Sequence, residues 1–169
     1  MRLSTSLSGV AGEYLVAAEL SRRGYVASLT LRNARGIDIL ASDGAASRSV
    51  GIQVKTNQDS RLGWLLNKRA EDYSEDNLFY VFVNLNGGGQ PDFYVVPSEI
   101  VSNAAKEGFA WWLRTPGRGG RQRKDNPMRM FDDGALKSIP QQLEKGGQPT
   151  TVAGYHNRWD LLGLEDAAA

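Results

Sequence analysis

The pattern of apolar and polar positions predicts a helix at the start of the chain, followed by several strands. Residues 8–23 are rich in Ala, Leu and Glu and are followed by Gly24, which is typical of a helix and its end. Apolar or alternating runs predict strands at 25–31, 37–41, 50–55, 64–66, 78–85 and 92–96. The run 78–85 is apolar on both faces, which favours a central strand.

A second helix is predicted over residues 97–113, where one face is apolar. That face carries Ile100, Val101, Ala104, Ala105, Phe109 and Trp112. Beyond this helix the periodicity fades, which predicts an irregular tail in which Trp159–Leu164 docks back on the body. This order of elements predicts an α/β fold around a mixed sheet. We expect one domain over residues 1–113, with residues 114–169 forming a basic loop and an irregular C-terminal extension packed on it.

Composition excludes several kinds of chemistry. The chain has 169 residues, 41% of them hydrophobic, which is enough for a buried core. It contains no cysteine, so disulfides, thiol catalysis and cysteine-ligated zinc are excluded, and its single histidine excludes a multi-histidine metal centre. Catalysis would therefore depend on carboxylates, amides, lysines and hydroxyls.

The sequence predicts a cytoplasmic protein. No run approaches 18 apolar residues, so a membrane span is not expected. The first residues lack the apolar core of a signal peptide, so secretion is not expected either.

Positive charge is concentrated in one segment. Residues 114–129 carry a net charge of +5, whereas the rest of the chain sums to −4. A basic, glycine-rich loop on a slightly acidic body indicates contact with a polyanion. The alternative is an ordinary solvated loop, and charge alone does not choose between the two.

Three polar residues lie in the two short strands predicted at 37–41 and 50–55. Asp38 stands between two isoleucines, and Gln53 and Lys55 alternate with apolar residues, so the latter two share a strand face. If the strands pair as a hairpin, all three can converge at one end of it. Carboxylate, amide and main-chain oxygens suit Mg²⁺ or Mn²⁺, and a lysine beside them can orient water or offset phosphate charge. The alternative is that Asp38 caps a turn beside a solvated strand face.

Glu13 favours the metal interpretation. Its neighbours three and four residues away on the predicted helix are Gly9, Val10, Val16 and Ala17, so it lies in an apolar stripe. A carboxylate that faces a core needs a partner, and a metal ion is one of the few that fit. Glu19 instead has Arg22 and Arg23 at these spacings and is expected to form surface ion pairs only.

Three short motifs together resemble the PD-(D/E)xK nuclease superfamily, in particular the archaeal Holliday-junction resolvases and Mrr-type restriction endonucleases. They are Gly12-Glu13, Gly36-Ile37-Asp38-Ile39-Leu40 and Gln53-Val54-Lys55. The resemblance covers residues 8–56, and the later strands fit it loosely. It implies a restriction-endonuclease-like mixed β-sheet flanked by helices.

The resemblance also implies roles for individual residues. Asp38 would be the metal aspartate, Gln53 the second ligand position, Lys55 the catalytic lysine and Glu13 the glutamate of the first helix. The implied cofactor is Mg²⁺ or Mn²⁺, bound by Asp38, Gln53, the main-chain carbonyl of Val54 and, as a further ligand, Glu13. Gln53 replaces the acid that most members carry. Mrr-like members also have glutamine there, so the departure removes one negative charge without implying inactivity.

The implied partner is DNA, and a homodimer is expected because cutting two strands usually needs two active sites. The candidates for nucleic-acid contact are Arg32, Arg35, Arg118, Arg121, Arg123 and Lys124. The four tryptophans, Trp64, Trp111, Trp112 and Trp159, are interpreted as core or interface packing residues rather than base-stacking platforms.

The leading hypothesis is a metal-dependent endonuclease that hydrolyses DNA phosphodiester bonds, of the resolvase or restriction type. The alternative is a catalytically inactive nuclease-fold module that binds DNA or another protein in a defence or repair system. A third hypothesis is a regulator or immunity partner of a larger defence system.

Overall fold

The computed structural model describes residues 2–31, 36–140 and 147–164. The helices and strands in these ranges are α1 (Thr5–Arg22), β1 (Val26–Leu29), β2 (Ile39–Ser42), β3 (Ser49–Asn57), β4 (Gly63–Asn67), β5 (Leu78–Asn84), β6 (Asp92–Pro97), α2 (Ser98–Arg114), β7 (Met128–Asp132) and α3 (Asp133–Lys137). Within the same ranges, no helix is both long enough and apolar enough to span a membrane. The chain divides into two compact units, which are described separately.

The first unit is built around a mixed five-stranded sheet in the order β1-β2-β3-β5-β6. β3 and β5 run parallel, and the other neighbours are antiparallel. The predicted hairpin of β2 and β3 is confirmed, with Ile39 opposite Ile52. Every residue of β5 is buried, which confirms the predicted central strand.

One hydrophobic core joins α1, the sheet and the end of the chain. Val16 and Leu20 of α1 are fully buried with the inward residues of the sheet. Trp159, Leu162 and Leu164 belong to the same core, so the predicted docking of this segment is confirmed. The Arg48 guanidinium also donates a hydrogen bond to the Gly163 carbonyl at 3.0 Å.

A glycine sets how closely α1 approaches β3. A Cβ atom on Gly12 would overlap the Oγ1 of Thr56, so only glycine allows this spacing. Thr56 Oγ1 is buried without a hydrogen-bond partner among the described residues, which shows how tightly the helix covers it. Helix α1 begins at an N-cap, where Ser4 Oγ accepts a hydrogen bond from the Leu7 amide.

The second unit contains the antiparallel pair β4–β7 together with α2, α3 and the short 3₁₀ turn Lys68–Glu71. The predicted apolar face of α2 is confirmed in its first half, where Ile100, Val101, Ala104 and Ala105 are buried. The expectation that residues 114–169 pack on residues 1–113 stays a prediction.

The prediction that regular structure ends after α2 is wrong, because β7 and α3 follow. Exposed and buried residues alternate along β7, but hydrophobicity does not follow that alternation. Arg129 and Phe131 are buried, whereas Met128 and Met130 are exposed. This reverses the usual order of apolar-inward and polar-outward residues. The Arg129 guanidinium is satisfied by an ion pair with Glu71 and by two main-chain carbonyls, so this charge of the basic segment is not at the surface.

The replacement Gly12→Ala is expected to lower the free energy of unfolding by about 1–3 kcal/mol, because the new methyl group overlaps Thr56. The matched control is Gly9→Ala in the same helix. Nothing lies within 4 Å of a Cβ there, so that change should raise stability by up to about 1 kcal/mol. Urea unfolding of the two variants measures both changes in the free energy of unfolding. Equal changes for Gly12→Ala and Gly9→Ala would contradict the close approach of α1 to β3.

Candidate metal and catalytic site

The candidate site lies where β2 stops pairing with β3. The β2–β3 ladder reaches Ile39 opposite Ile52, whereas β3 continues to Asn57 beside β5. Asp38 immediately precedes this ladder, and its amide donates to the Ile52 carbonyl at 2.8 Å. Its Oδ2 accepts a hydrogen bond from the Val54 amide at 2.7 Å. The carboxylate thus satisfies a main-chain group that the hairpin leaves uncovered.

Lys55 follows on β3 and is partly buried. Burial lowers the pKa of its ammonium, and the carboxylates of Asp38 and Glu13 both act against that shift. Burial likewise raises the pKa of Asp38, against the Val54 hydrogen bond and the charge of Lys55. The structure therefore brings Asp38, Lys55 and Glu13 into one partly buried electrostatic group. Such perturbed pKa values are typical of functional sites.

Glu13 reaches this group because of the position of α1. Glu13 directly follows Gly12, the residue that lies against Thr56 of β3. The close approach of helix and strand therefore fixes the backbone position from which the Glu13 side chain extends. Glu19, on the same helix, forms ion pairs with Arg22 at 2.6 Å and Arg23 at 3.5 Å, as predicted. The two glutamates of α1 are thus in different environments.

Gln53 and Val54 supply neutral oxygens beside these charges. Gln53 is partly buried, and strand alternation places its side chain on the same face of β3 as that of Lys55. The amide of Val54 points to Asp38, and within a strand the carbonyl of a residue points the same way as its amide. Both residues therefore lie where β3 extends past the end of β2, at an edge that no strand of the described residues covers.

The donor set fits a hard divalent cation. It combines two carboxylates, one amide oxygen and one main-chain carbonyl, all of them oxygen ligands of the kind that Mg²⁺ and Mn²⁺ prefer. Two carboxylates against one ammonium leave a formal charge of −1, which a divalent ion would balance. Over the described residues no group of three or more His, Cys, Asp or Glu side chains gathers, so a metal here would depend on the neutral oxygens as well.

The predicted nucleic-acid contacts have different outcomes. Arg32 and Arg35 lie outside the described residues, and their role stays a prediction. Arg118, Arg121 and Lys124 are exposed in the second unit. Arg123 is partly buried, because its guanidinium stacks on Trp112 at 4.7 Å from the ring centroid and donates to the Trp112 carbonyl at 3.1 Å.

Two features of the structure have little signal in the sequence. The contact between Gly12 and Thr56 is indicated in the sequence only by a glycine inside a predicted helix. Glycine there costs about 1 kcal/mol of helix stability relative to alanine, which indicates a close packing contact at that position. Trp111, interpreted as a core or interface packing residue, is 53% exposed and so does not belong to the core. Trp64 and Trp159 are buried as predicted.

This mixed sheet with its flanking helix is a restriction-endonuclease-like α/β fold, so the fold expected from the sequence is confirmed. The chain is similar to the structure of a bacterial homing endonuclease, I-Ssp6803I, with 15% identity and a TM-score of 0.51 over 96% of this chain and 94% of that one. It is also similar to a Holliday junction resolvase from the archaeal hyperthermophile Archaeoglobus fulgidus, with 14% identity and a TM-score of 0.43 over 83% and 98% of the two chains. No protein-family model and no curated protein matches the sequence.

The replacement Asp38→Asn is expected to raise the free energy of unfolding of the metal-free protein at neutral pH. The raised pKa means that the fold disfavours the charged form, and asparagine mimics the neutral form while still accepting from Val54. With a raised pKa, the parent regains stability as the pH falls through the pKa of folded Asp38, so the advantage should shrink on acidification. Denaturant unfolding with a chelator, at about pH 7 and about pH 4, measures this.

Asp43→Asn is the matched control of opposite sign. Hydrogen bonds from Ser47 and Arg48 lower the pKa of Asp43, so its charge stabilises the fold above that pKa. Removing the charge should destabilise the protein at neutral pH, and the deficit should vanish as the pH falls through the folded pKa. If Asp38→Asn and Asp43→Asn changed the free energy of unfolding in the same direction at neutral pH, the conclusion that the fold disfavours the charge of Asp38 would be contradicted.

Proposed function

We propose that this chain is a metal-dependent endonuclease that hydrolyses DNA phosphodiester bonds, of the resolvase or restriction type. One observation carries the proposal: the partly buried group of Asp38, Glu13 and Lys55 at the uncovered edge of β3. Charges held away from water are costly unless they are paired, hydrogen-bonded or bound to a metal ion, so two carboxylates beside one ammonium favour a bound cation. The restriction-endonuclease-like fold supports the proposal, because this sheet edge is where the motif residues lie.

The cation, Mg²⁺ or Mn²⁺, would be held by Asp38, Gln53, the Val54 carbonyl and Glu13. When bound, it would polarise a phosphate oxygen and help to generate hydroxide at neutral pH. The Val54 amide fixes Asp38 through one carboxylate oxygen, so that side chain is oriented before any ligand arrives.

Lys55 is the proton-handling and charge-offsetting group of the proposal. Hydrolysis forms a bond from a water oxygen to phosphorus and breaks one phosphorus–oxygen bond to a sugar, while negative charge builds up on the phosphate. An ammonium beside that phosphate stabilises the charge, and its lowered pKa also makes it a better proton donor to an oxygen within reach. The carboxylates of Asp38 and Glu13 act against the lowering of the Lys55 pKa and so favour its charged form.

Binding of DNA would involve basic residues as phosphate contacts. The candidates are Arg32, Arg35, Arg118, Arg121, Arg123 and Lys124. A homodimer belongs to the same proposal, because each copy supplies one candidate site for a two-stranded substrate.

Cleavage of DNA tests the proposal directly. The parent is expected to cut plasmid, linear or four-way-junction DNA in Mg²⁺ or Mn²⁺, and Asp38→Ala and Lys55→Ala should each slow cleavage by at least about 100-fold. Glu13→Gln should slow it by about 10-fold or more, because a charged ligand is lost. Its matched control, Glu19→Gln on the same helix, should leave the rate unchanged, because Glu19 only pairs with surface arginines.

The outcomes separate the hypotheses. If the Asp38 and Lys55 variants cut as fast as the parent, the catalytic site lies elsewhere. If the parent binds DNA but cuts none of the three substrates with either metal, the chain is a binding module on a nuclease fold.

The replacement Gln53→Glu should lower the Mg²⁺ concentration needed for half-maximal cleavage, because a carboxylate binds a divalent ion more tightly than a neutral amide oxygen does. The expected difference is roughly 5- to 150-fold, which corresponds to about 1–3 kcal/mol for a charge-assisted contact. Gln53→Ala should instead raise the required concentration. A Mg²⁺ titration of cleavage by the parent and both variants is the measurement, and an unchanged requirement would remove Gln53 from the ligand set.

A further inference from the structure

The second unit carries an apolar sheet face that stays exposed among the residues that the structure describes. The residues of this face are Leu65 on β4 and Met128 and Met130 on β7, and Leu65 and Met130 are direct cross-strand partners. They are 57%, 51% and 42% exposed, and Trp111 on α2 is 53% exposed. Contiguous exposed apolar side chains of this size mark a binding surface.

These side chains line a concave cleft rather than a flat patch. The cleft has a volume of about 350 Å³, and Leu65, Trp111, Met128 and Met130 line it together with Trp112 and Asn126. This volume is at the small end of the range for ligand pockets.

One wall of the cleft is a stack of rings and guanidinium groups. The Phe109 and Trp112 rings stack with centroids 5.4 Å apart and an interplanar angle of 18°. Arg123 lies over the Trp112 ring, and Arg129 lies over the Phe109 ring at 3.3 Å. Cation–π contacts at both ends hold the stack in place.

A basic turn, residues 117–124, borders the cleft and is called its rim. The lining of the cleft itself contains a carboxylate, Asp132, which accepts a hydrogen bond from the Ala135 amide at 2.8 Å. Arg123 also donates to the Trp112 carbonyl at the end of α2, which ties residues 117–124 to the cleft wall. The turn closes on itself through a hydrogen bond from the Gly117 amide to the Arg121 carbonyl at 2.8 Å. Arg118, Arg121 and Lys124 extend from this turn and are exposed. Arg123 is thus a positioning residue, and the three exposed cations remain for a ligand.

We infer that this cleft binds an unpaired nucleobase, stacked on Trp111, while Arg118, Arg121 and Lys124 contact the flanking phosphates. The inference rests on the proposed function, because the ligand of the cleft is taken to be the DNA that the proposed nuclease cuts. An aromatic platform beside a cationic strip is the arrangement by which proteins hold single-stranded nucleic acid. The partner is therefore a DNA with unpaired nucleotides, such as a junction, a flap or a melted end.

Two other occupants fit the charges and the shape less well. A second copy docked symmetrically on this face would bring two basic rims together, and like charges across an interface are unfavourable. An anionic membrane would attract the rim, but side chains that line a concave cleft cannot enter a bilayer together.

The test is binding of a fluorescein-labelled oligothymidylate of about 12 nucleotides, measured by anisotropy with a chelator present. Trp111→Ala should weaken binding by about 5- to 150-fold, the effect of removing one stacked base, and should weaken binding of a matched duplex far less. Trp111→Phe should restore most of the affinity. Leu7→Ala, an exposed apolar residue on α1, is the matched control and should bind like the parent.

The salt dependence of single-strand binding tests the basic rim separately. Replacing Arg118, Arg121 and Lys124 together with glutamine should flatten the salt dependence of single-strand binding by about two units of slope, because three phosphate contacts are lost. Replacing Arg123 with lysine keeps the charge but removes the planar stack. It should weaken binding with little change in that slope, as expected of a positioning residue.

Each outcome decides the inference. Equal affinity of the parent and Trp111→Ala for the oligonucleotide overturns it, as does binding to phosphatidylserine vesicles that depends on Trp111 without any binding to DNA. Trp111-dependent binding by a parent that never cleaves DNA supports the cleft and overturns the proposed nuclease. If the parent cleaves DNA and its Trp111→Ala variant binds the oligonucleotide as tightly as the parent does, the proposed nuclease is supported and the proposed cleft is overturned.

Discussion

The candidate site depends on one hydrogen bond, from the Val54 amide to the Asp38 carboxylate. Where β2 ends, β3 would otherwise present an unpaired amide, and a buried unpaired amide costs about as much as a lost hydrogen bond. Asp38 satisfies that amide and is thereby held in a place where its own charge is disfavoured. The interaction fixes the local main chain and orients the carboxylate for a ligand at the same time.

The close packing of α1 on β3 supplies the rest of the site. Gly12 permits contact with Thr56, and the next residue of the helix is Glu13. Lys55, the neighbour of Thr56 on β3, is influenced by both Glu13 and Asp38. A helix one methyl group farther away would place Glu13 differently, so the geometry of the site depends on a residue without a side chain.

The first unit was largely predictable because its elements follow simple periodicities. The apolar run of β5, the hairpin of β2 and β3, and the contrast between Glu13 and Glu19 all follow from spacing along the chain. Three motif residues, Asp38, Gln53 and Lys55, are also close in sequence, so pairing of one hairpin brings them together. The resemblance to a nuclease superfamily then indicated the fold as a whole.

The second unit was harder to predict because its interactions join distant residues. Arg129 is buried only because Glu71 pairs with it, and that partner lies far away along the chain. Without that pairing, β7 looks like part of a solvated basic segment. The exposure of Trp111 is equally invisible to a one-dimensional pattern, since its neighbours Leu65 and Met130 come from two different strands.

Manganese titration of the ¹⁵N-labelled protein, followed by NMR, tests the central claim most directly. The account predicts that paramagnetic broadening first removes the main-chain signals of Glu13, Asp38, Gln53, Val54 and Lys55, and that Asp38→Asn abolishes this selectivity while the remaining spectrum stays folded. Broadening centred on other residues, or broadening of the same residues unchanged by Asp38→Asn, would contradict a metal site at the edge of β3.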